Sequence, residues 1–130
     1  MKLLVVMAAA QALFAMSAHA QWMRVGSDGE VDAYFDSATR IADGAIVKVQ
    51  VLLDYKEPRQ WTDYLVYSSM VSAREYDCPG ARLRVAMSEF HFAPMAQDEP
   101  RFSTPGGVSW KAVSDDGVES ALFKRVCAGS

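Results

Sequence analysis

The strongest constraint on the fold is an alternation of apolar and polar residues over positions 45–55. The apolar set is Val47, Val49, Val51, Leu53 and Tyr55. The polar set between them is Lys48, Gln50 and Asp54. A period of two with β-branched residues is typical of a strand that has one buried and one solvated face. The segment therefore predicts a sheet with one side packed on a core.

The remaining patterns predict five further strands, at 22–25, 30–36, 64–76, 81–92 and 108–113. Turn signals at 27–29, 43–44 and 78–80 join consecutive strands, so the chain should run as an antiparallel meander. Three prolines and two adjacent glycines in 94–107 predict a long surface loop before the last strand.

Alternation also assigns faces within the hairpin formed by 64–76 and 81–92. In the first strand, Leu65, Tyr67, Val71 and Ala73 share one face. In the second strand, Leu83, Val85, Met87 and His91 fall on one side. Because a strict period of two keeps each face constant, we expect His91 to lie with the apolar set.

One helix is expected, at the end of the chain. Asp116 is placed to cap its start, with Glu119 three residues later in a capping-box arrangement. Its apolar stripe is Val118, Leu122 and Val126. Gly129 is placed to end the helix. The predicted architecture is α+β, a six-stranded antiparallel sheet with one C-terminal helix across a face.

The chain has two cysteines, Cys78 and Cys127. In an oxidising compartment, a lone pair of cysteines in a small domain is most simply a disulfide. A zinc site would need two more ligands. A catalytic thiol would need a neighbouring base, and a disulfide would consume the thiol. A disulfide would staple the predicted helix to the predicted hairpin.

The first 20 residues have the parts of a secretory leader. Met1-Lys2 is a short positive start, 3–14 is an apolar stretch, and 18–20 is an Ala-x-Ala site before Gln21. An uncleaved anchor is the alternative, because 3–20 is just long enough to span a bilayer. We expect a signal peptide over 1–20, one mature domain over 21–130, and a periplasmic or secreted protein. The cleavage point has no nearby cysteine for a lipid, so no stable membrane anchor is expected after cleavage.

Composition excludes some partners and offers little catalytic chemistry. Thirteen Lys and Arg against 16 Asp and Glu give a net charge of −3, whereas a nucleic-acid groove needs surplus positive charge. His91 is the only histidine after the leader, and Ser68-Ser69 lacks a Gly-x-Ser-x-Gly elbow. We therefore expect no nucleic-acid partner, no enzyme, and no catalytic, cofactor-binding or metal-binding residues.

The remaining candidate for a functional site is a surface that binds a partner. Arg74, Arg82 and Arg84 are predicted to form a cross-strand basic stripe near Cys78, interleaved with Tyr64, Tyr76 and Phe90. Arg and aromatic side chains are enriched in interface hot spots, so the candidate partner-binding residues are Arg74, Arg82, Arg84 and Tyr76. The alternative is a solvated face, because Glu75, Asp77 and Glu89 are placed to neutralise the arginines. Core packing or edge capping is expected for Trp22, Trp61 and Trp110.

The chain resembles the surface-adhesin protein E family. The resemblance rests on Trp22, Asp54-Tyr55-Lys56 with Pro58, Tyr67-Ser68-Ser69, Glu75-Tyr76-Asp77-Cys78 followed by Arg82, Trp110, and a helix ending in Val126-Cys127. It implies a six-stranded antiparallel sheet with a C-terminal helix tied to its concave face by a disulfide between the two cysteines. The founding adhesin is a surface lipoprotein that binds vitronectin and laminin and can dimerise, so the resemblance also implies a protein partner and a homodimer.

Two functions follow from these expectations. The first is an exported, non-enzymatic, adhesin-like module that binds extracellular or envelope proteins. The second is a periplasmic inhibitor of a cell-wall hydrolase, which would insert a loop such as 94–107 into a cleft. Neither function needs a cofactor.

Overall fold

The computed structural model describes residues 21–129, so the predicted leader lies outside the described residues. The strands are β1 Trp22–Ser27, β2 Val31–Asp43, β3 Ile46–Gln60, β4 Val66–Asp77, β5 Arg82–His91, β6 Phe102–Pro105 and β7 Lys111–Ala112. A short 3-10 turn, Pro94–Ala96, follows β5, and the helix α1 is Gly117–Cys127. Within the described range, no helix has the length and apolar character needed to cross a membrane.

The strands form one antiparallel sheet in chain order from β1 to β6. Both β6 and β7 pair with the same edge of β5, β6 near its end and β7 near its start. The predicted six-stranded sheet is confirmed, with its last position shared by two short strands.

The predicted boundaries at this edge of the sheet are wrong. β6 lies inside the segment predicted as a loop, because the Phe102 ring stacks on Phe90 with centroids 4.5 Å apart and holds the chain against β5. The strand predicted over 108–113 is reduced to β7. Between them, a Cβ on Gly106 would lie 1.5 Å from the Val85 carbonyl oxygen, so this close crossing requires glycine.

The core lies on one face of the sheet, called here the helix face. In β3, Val47, Val49 and Val51 are buried, as their alternation predicts. α1 packs on β1, β2 and β3, and its Val118, Leu122 and Val126 join the same core. Full burial of such side chains contributes about 1.5–3 kcal/mol each. The opposite face is called the outer face.

The ends of α1 differ from the prediction in one respect. Asp116 takes the N-cap position, but its side chain makes no capping hydrogen bond. The predicted capping box is therefore wrong, because Glu119 instead accepts hydrogen bonds from the guanidinium of Arg74. Gly129 follows the last turn with φ +87°, a left-handed conformation that favours glycine and ends the helix as predicted.

The predicted disulfide is confirmed. Cys78 follows β4, Cys127 is the last residue of α1, and their Sγ atoms are bonded. The bond joins residues 49 positions apart and staples the end of the helix to the β4–β5 turn.

A β-bulge in β5 changes the predicted faces. Val85 and Met87 pair with consecutive residues of β4, so Ala86 is an extra residue. One extra residue shifts the alternation by one position. Leu83 and Val85 therefore lie on the helix face, whereas Met87 and His91 lie on the outer face. The prediction that all four share one face is wrong for this reason.

β4 turns polar residues toward the helix. The residues paired with Val47, Val49 and Val51 are Tyr76, Arg74 and Ser72. Of the four residues predicted to share one face, Val71 and Ala73 lie on the outer face, whereas Tyr67 packs against Tyr55 and Phe90 and Leu65 precedes the strand. A buried arginine therefore occupies the middle of the helix face.

Candidate functional site

Arg74 is buried between the sheet and the helix, with 5% of its surface exposed. Its Nη1 donates to Glu119 Oε2 at 2.6 Å, and its Nη2 donates to Glu119 Oε1 at 3.2 Å. Nη1 also donates to the Tyr76 hydroxyl at 3.2 Å, and Tyr76 is 0% exposed. Two of the four candidate binding residues thus lie inside the domain, where they tie β4 to α1.

The partners of Arg74 in this network keep its guanidinium charged. Burial opposes the charge of Arg74, but Tyr76 and Glu119 more than offset that effect and raise the Arg74 pKa above its ordinary value. Burial raises the pKa of Tyr76, and Arg74 partly opposes this change. Arg74 is therefore a permanent buried cation that needs its carboxylate partner.

The other two candidates, Arg82 and Arg84, lie on the outer face beside Trp110. Their guanidinium carbons are 5.3 and 4.4 Å from the Trp110 ring centroid, within the range of cation–π contacts. Arg82 donates to Asp77 at 2.6 Å, and Arg84 donates to Glu75. The sheet thus separates the predicted stripe into a buried pair and an outer pair, and each outer arginine has a carboxylate partner.

These contacts also act on the carboxylates. The bond from Arg82, followed by that from the Gly80 N–H, lowers the pKa of Asp77 below its usual value. The bond from Arg84 lowers the pKa of Glu75. Both groups stay ionised at more acidic pH than usual, so charges of opposite sign balance at this end of the outer face.

Five aromatic rings pack together at the other end of the sheet. This aromatic cluster consists of Tyr55, Trp61, Tyr67, Phe90 and Phe102. Phe90 lies at its centre, with ring centroids 4.6 Å from Trp61 and 4.9 Å from Tyr67. Burial raises the pKa of Tyr55 to about 12. Trp61 packs against Phe90 and Phe102 at the edge of this cluster, which fits the edge-capping role expected for it.

Exposed apolar side chains concentrate beside this cluster. Of nine large apolar side chains exposed in the described range, five lie on the β3–β4 turn or directly after β5: Trp61, Tyr64, Leu65, Val66 and Phe92. Tyr64 is the most exposed, at 93%. We call residues 61–66 the hairpin tip. Such concentrations of exposed apolar surface mark interaction sites.

The sequence patterns place Tyr64 in the arginine stripe, Leu65 in the strand 64–76, and Trp61 in core packing or edge capping, and they do not predict a tip. Tyr64 instead lies on the β3–β4 turn, whereas Arg82 and Arg84 lie at the opposite end of β5. The available signal was the run Trp-Thr-Asp-Tyr-Leu-Val at 61–66, which is unusually apolar for a turn.

His91 is buried on the outer face, where it holds the loop after β5. Its Nδ1 lies 2.9 Å from the Asp98 carbonyl oxygen and 3.3 Å from Asp98 Oδ1. Asp54 and Ser69 accept hydrogen bonds from the backbone N–H groups of 95–96. These contacts give His91 a packing role. Across residues 21–129, no three His, Cys, Asp or Glu side chains are grouped to hold a metal ion.

A meandering antiparallel sheet, a C-terminal helix and a disulfide between them define a small stapled β domain with apolar groups exposed at one end. A family model for surface-adhesin protein E matches residues 22–128. The chain therefore belongs to the surface-adhesin protein E family, and is an exported, adhesin-like surface protein. No curated protein and no solved structure matches it.

Proposed function

We propose that this protein is an exported, non-enzymatic module that binds another protein. The observation that carries this function is the exposed apolar hairpin tip, because exposed aromatic and aliphatic side chains of this kind mark protein interfaces. Membership of an adhesin family supports the same function.

The candidate partners are extracellular-matrix or serum glycoproteins, such as those bound by the founding adhesin, and envelope proteins. A direct test immobilises the mature protein and titrates purified vitronectin and laminin, with serum albumin as the control. Saturable binding to either glycoprotein, and none to albumin, supports adhesion to host proteins. Binding no stronger than that of albumin contradicts it.

We propose that the leader is removed after Ala20 and that the mature protein is periplasmic or secreted. Mass analysis of the native protein should give an N-terminus at Gln21. Protease treatment of intact cells then separates the two locations, because a periplasmic protein is protected and a surface-exposed protein is cut. An N-terminus that still includes the leader would contradict cleavage.

Inhibition of a cell-wall hydrolase is the second candidate, and the loop after β5 favours it. Met95 and Ala96 have φ of 56° and 52°, a left-handed conformation that is strained in residues other than glycine. Side chains of β3 and β4 hold this turn rigidly, as an inserted inhibitory loop requires. Slower lysis of wall substrate by purified muramidases in the presence of the protein would support this function, and unchanged lysis rates would contradict it.

We also propose a homodimer, as the family resemblance implies. Sedimentation velocity over a range of protein concentrations tests it directly. A single species with the mass of one chain at all concentrations would contradict it.

A further inference from the structure

We infer that the hairpin tip is the docking element of this protein, and that it inserts into an apolar cleft of a folded partner protein with a Lys or Arg at the mouth of the cleft. This inference rests on the proposed function and deepens it, because it assigns the binding surface and the chemistry of the partner.

The tip projects beyond the rest of the sheet. After a register shift between Asp54 and Arg59, β3 and β4 pair again at Arg59 with Tyr67 and at Gln60 with Val66. On one side, β2 stops pairing with β3 at Tyr55, and on the other side β5 stops pairing with β4 at Ser69. At about 3.3 Å per residue, the three residues of β4 before Ser69 carry the hairpin roughly 10 Å past the end of its pairing with β5. A projecting element fits a concave surface on its partner.

The tip is ordered before it meets a partner. The Trp61 N–H donates to the Leu65 carbonyl oxygen at 2.8 Å, and the Tyr64 N–H donates to Thr62 Oγ1 at 3.2 Å. The Trp61 ring is anchored against Phe90 in the aromatic cluster. This order reduces the conformational entropy that is lost on binding. Tyr64 is the most exposed side chain of the tip, at 93%, and Leu65 beside it is 37% exposed.

The side chains of the tip, and not its backbone edges, form the binding element. Before the tip, β3 carries Pro58 together with the charged residues Lys56, Glu57 and Arg59. Proline lacks the N–H that a strand ladder requires, and charged residues oppose the pairing of a further strand at an edge.

Asp63 at the apex decides between a lipid and a protein partner. Among residues 21–129 it forms no salt bridge, and the nearby Arg59 is paired with Glu30 at 3.5 Å. A carboxylate at the deepest point of insertion is costly in a bilayer. In a protein cleft, the same carboxylate can pair with a Lys or Arg, while Tyr64 and Leu65 fill the apolar part. Tyr is among the residues that dominate interface hot spots.

The first experiment is site-specific photo-crosslinking in the native cells. The full chain is expressed with p-benzoylphenylalanine in place of Tyr64, and separately in place of Ile41 or Val108, which are 61% and 87% exposed and lie outside the tip. We expect a discrete protein adduct from position 64 and none from position 41 or 108. The adduct peptide should map to an apolar cleft with a Lys or Arg at its mouth.

The second experiment measures the affinity of the purified partner for designed variants. Y64A and L65A should each weaken binding by about 30-fold, the loss typical of a hot-spot residue. D63K should weaken it more than D63N, because it sets two cations against each other. V108A is the matched control and should bind like the wild type. Y64A, D63N, D63K and V108A should keep the wild-type melting temperature, because Asp63, Tyr64 and Val108 are exposed.

Three outcomes overturn the inference. A lipid adduct at position 64, together with binding to phosphatidylcholine vesicles that Y64A abolishes, identifies a membrane as the partner. A protein adduct only at position 41 or 108, or an identified partner that binds Y64A and D63K like the wild type, rejects the tip but leaves the proposed function standing. The absence of a protein adduct at all three positions contradicts both.

Discussion

At the scale of single residues, the fold should be sensitive to loss of the ion pair between Arg74 and Glu119. E119A leaves the Arg74 cation buried with only the Tyr76 hydroxyl as a charge-stabilising partner. We expect the free energy of unfolding to fall by about 2 kcal/mol, less than for a fully buried pair, because Glu119 is partly exposed and screened by solvent. Urea denaturation at pH 7 measures this loss, with E99A as an exposed control that should change little.

A double variant tests whether the uncompensated charge of Arg74 causes the loss of stability in E119A. R74M together with E119A removes both charges, so it should be more stable than E119A alone. A double variant whose loss of stability equals the sum of the losses in R74M and E119A would contradict this explanation.

The ion pair could not be predicted from the sequence, because Glu119 has the spacing of a capping box and Arg74 lies in a strand whose alternation is typical of a half-exposed strand. Which face of β4 meets the helix depends on long-range register.

At the scale of elements, the start of the β4–β5 hairpin should make the fold sensitive to acid. The pKa of Asp77 is lowered from 3.8 and that of Glu75 from 4.5. A carboxylate with a lowered folded pKa stabilises the fold above its unfolded pKa, and this contribution is lost as pH falls through the folded pKa. D77N should therefore melt below the wild type at pH 7. The difference in melting temperature should narrow from about pH 5 downward.

The matched control for D77N is D63N, which removes a carboxylate that forms no salt bridge in the described part of the chain and should melt like the wild type at pH 7. A constant difference in melting temperature between D77N and the wild type from pH 7 to pH 3 would contradict this prediction.

The β4–β5 hairpin and its turn at 78–80 could be predicted from alternation and turn residues. The Ala86 bulge does not, since no residue type marks it, and one extra residue moves Met87 and His91 to the other face.

At the scale of the whole molecule, the sheet, the terminal helix and the disulfide could be predicted because each depends on local periodicity or on a lone pair of cysteines. The hairpin tip as a surface could not, because it depends on where β2 and β5 stop pairing. The aromatic cluster draws rings from four strands and the tip, and only the register brings them together. Sequence patterns thus give the elements, while long-range pairing determines which side chains remain exposed.

The placement of α1 leads to the last prediction. The helix has 11 residues, too few to be stable alone in water, and its apolar stripe packs on β1 to β3. Two ties hold it toward β4: the Arg74–Glu119 pair in its first turn and the disulfide at its end. The disulfide closes a loop between residues 49 positions apart. Closing a loop of that length should contribute about 4 kcal/mol to stability through the entropy of the unfolded chain.

Reduction should therefore lower the melting temperature by about 15 °C. It should also increase hydrogen exchange in the last turn of α1. C78S and C127S should each melt like the reduced protein, and a reductant should not change either of them further. An unchanged melting temperature in a sample whose two thiols are shown to be free would mean that apolar packing alone holds the helix, and that the disulfide adds nothing to the stability of the fold.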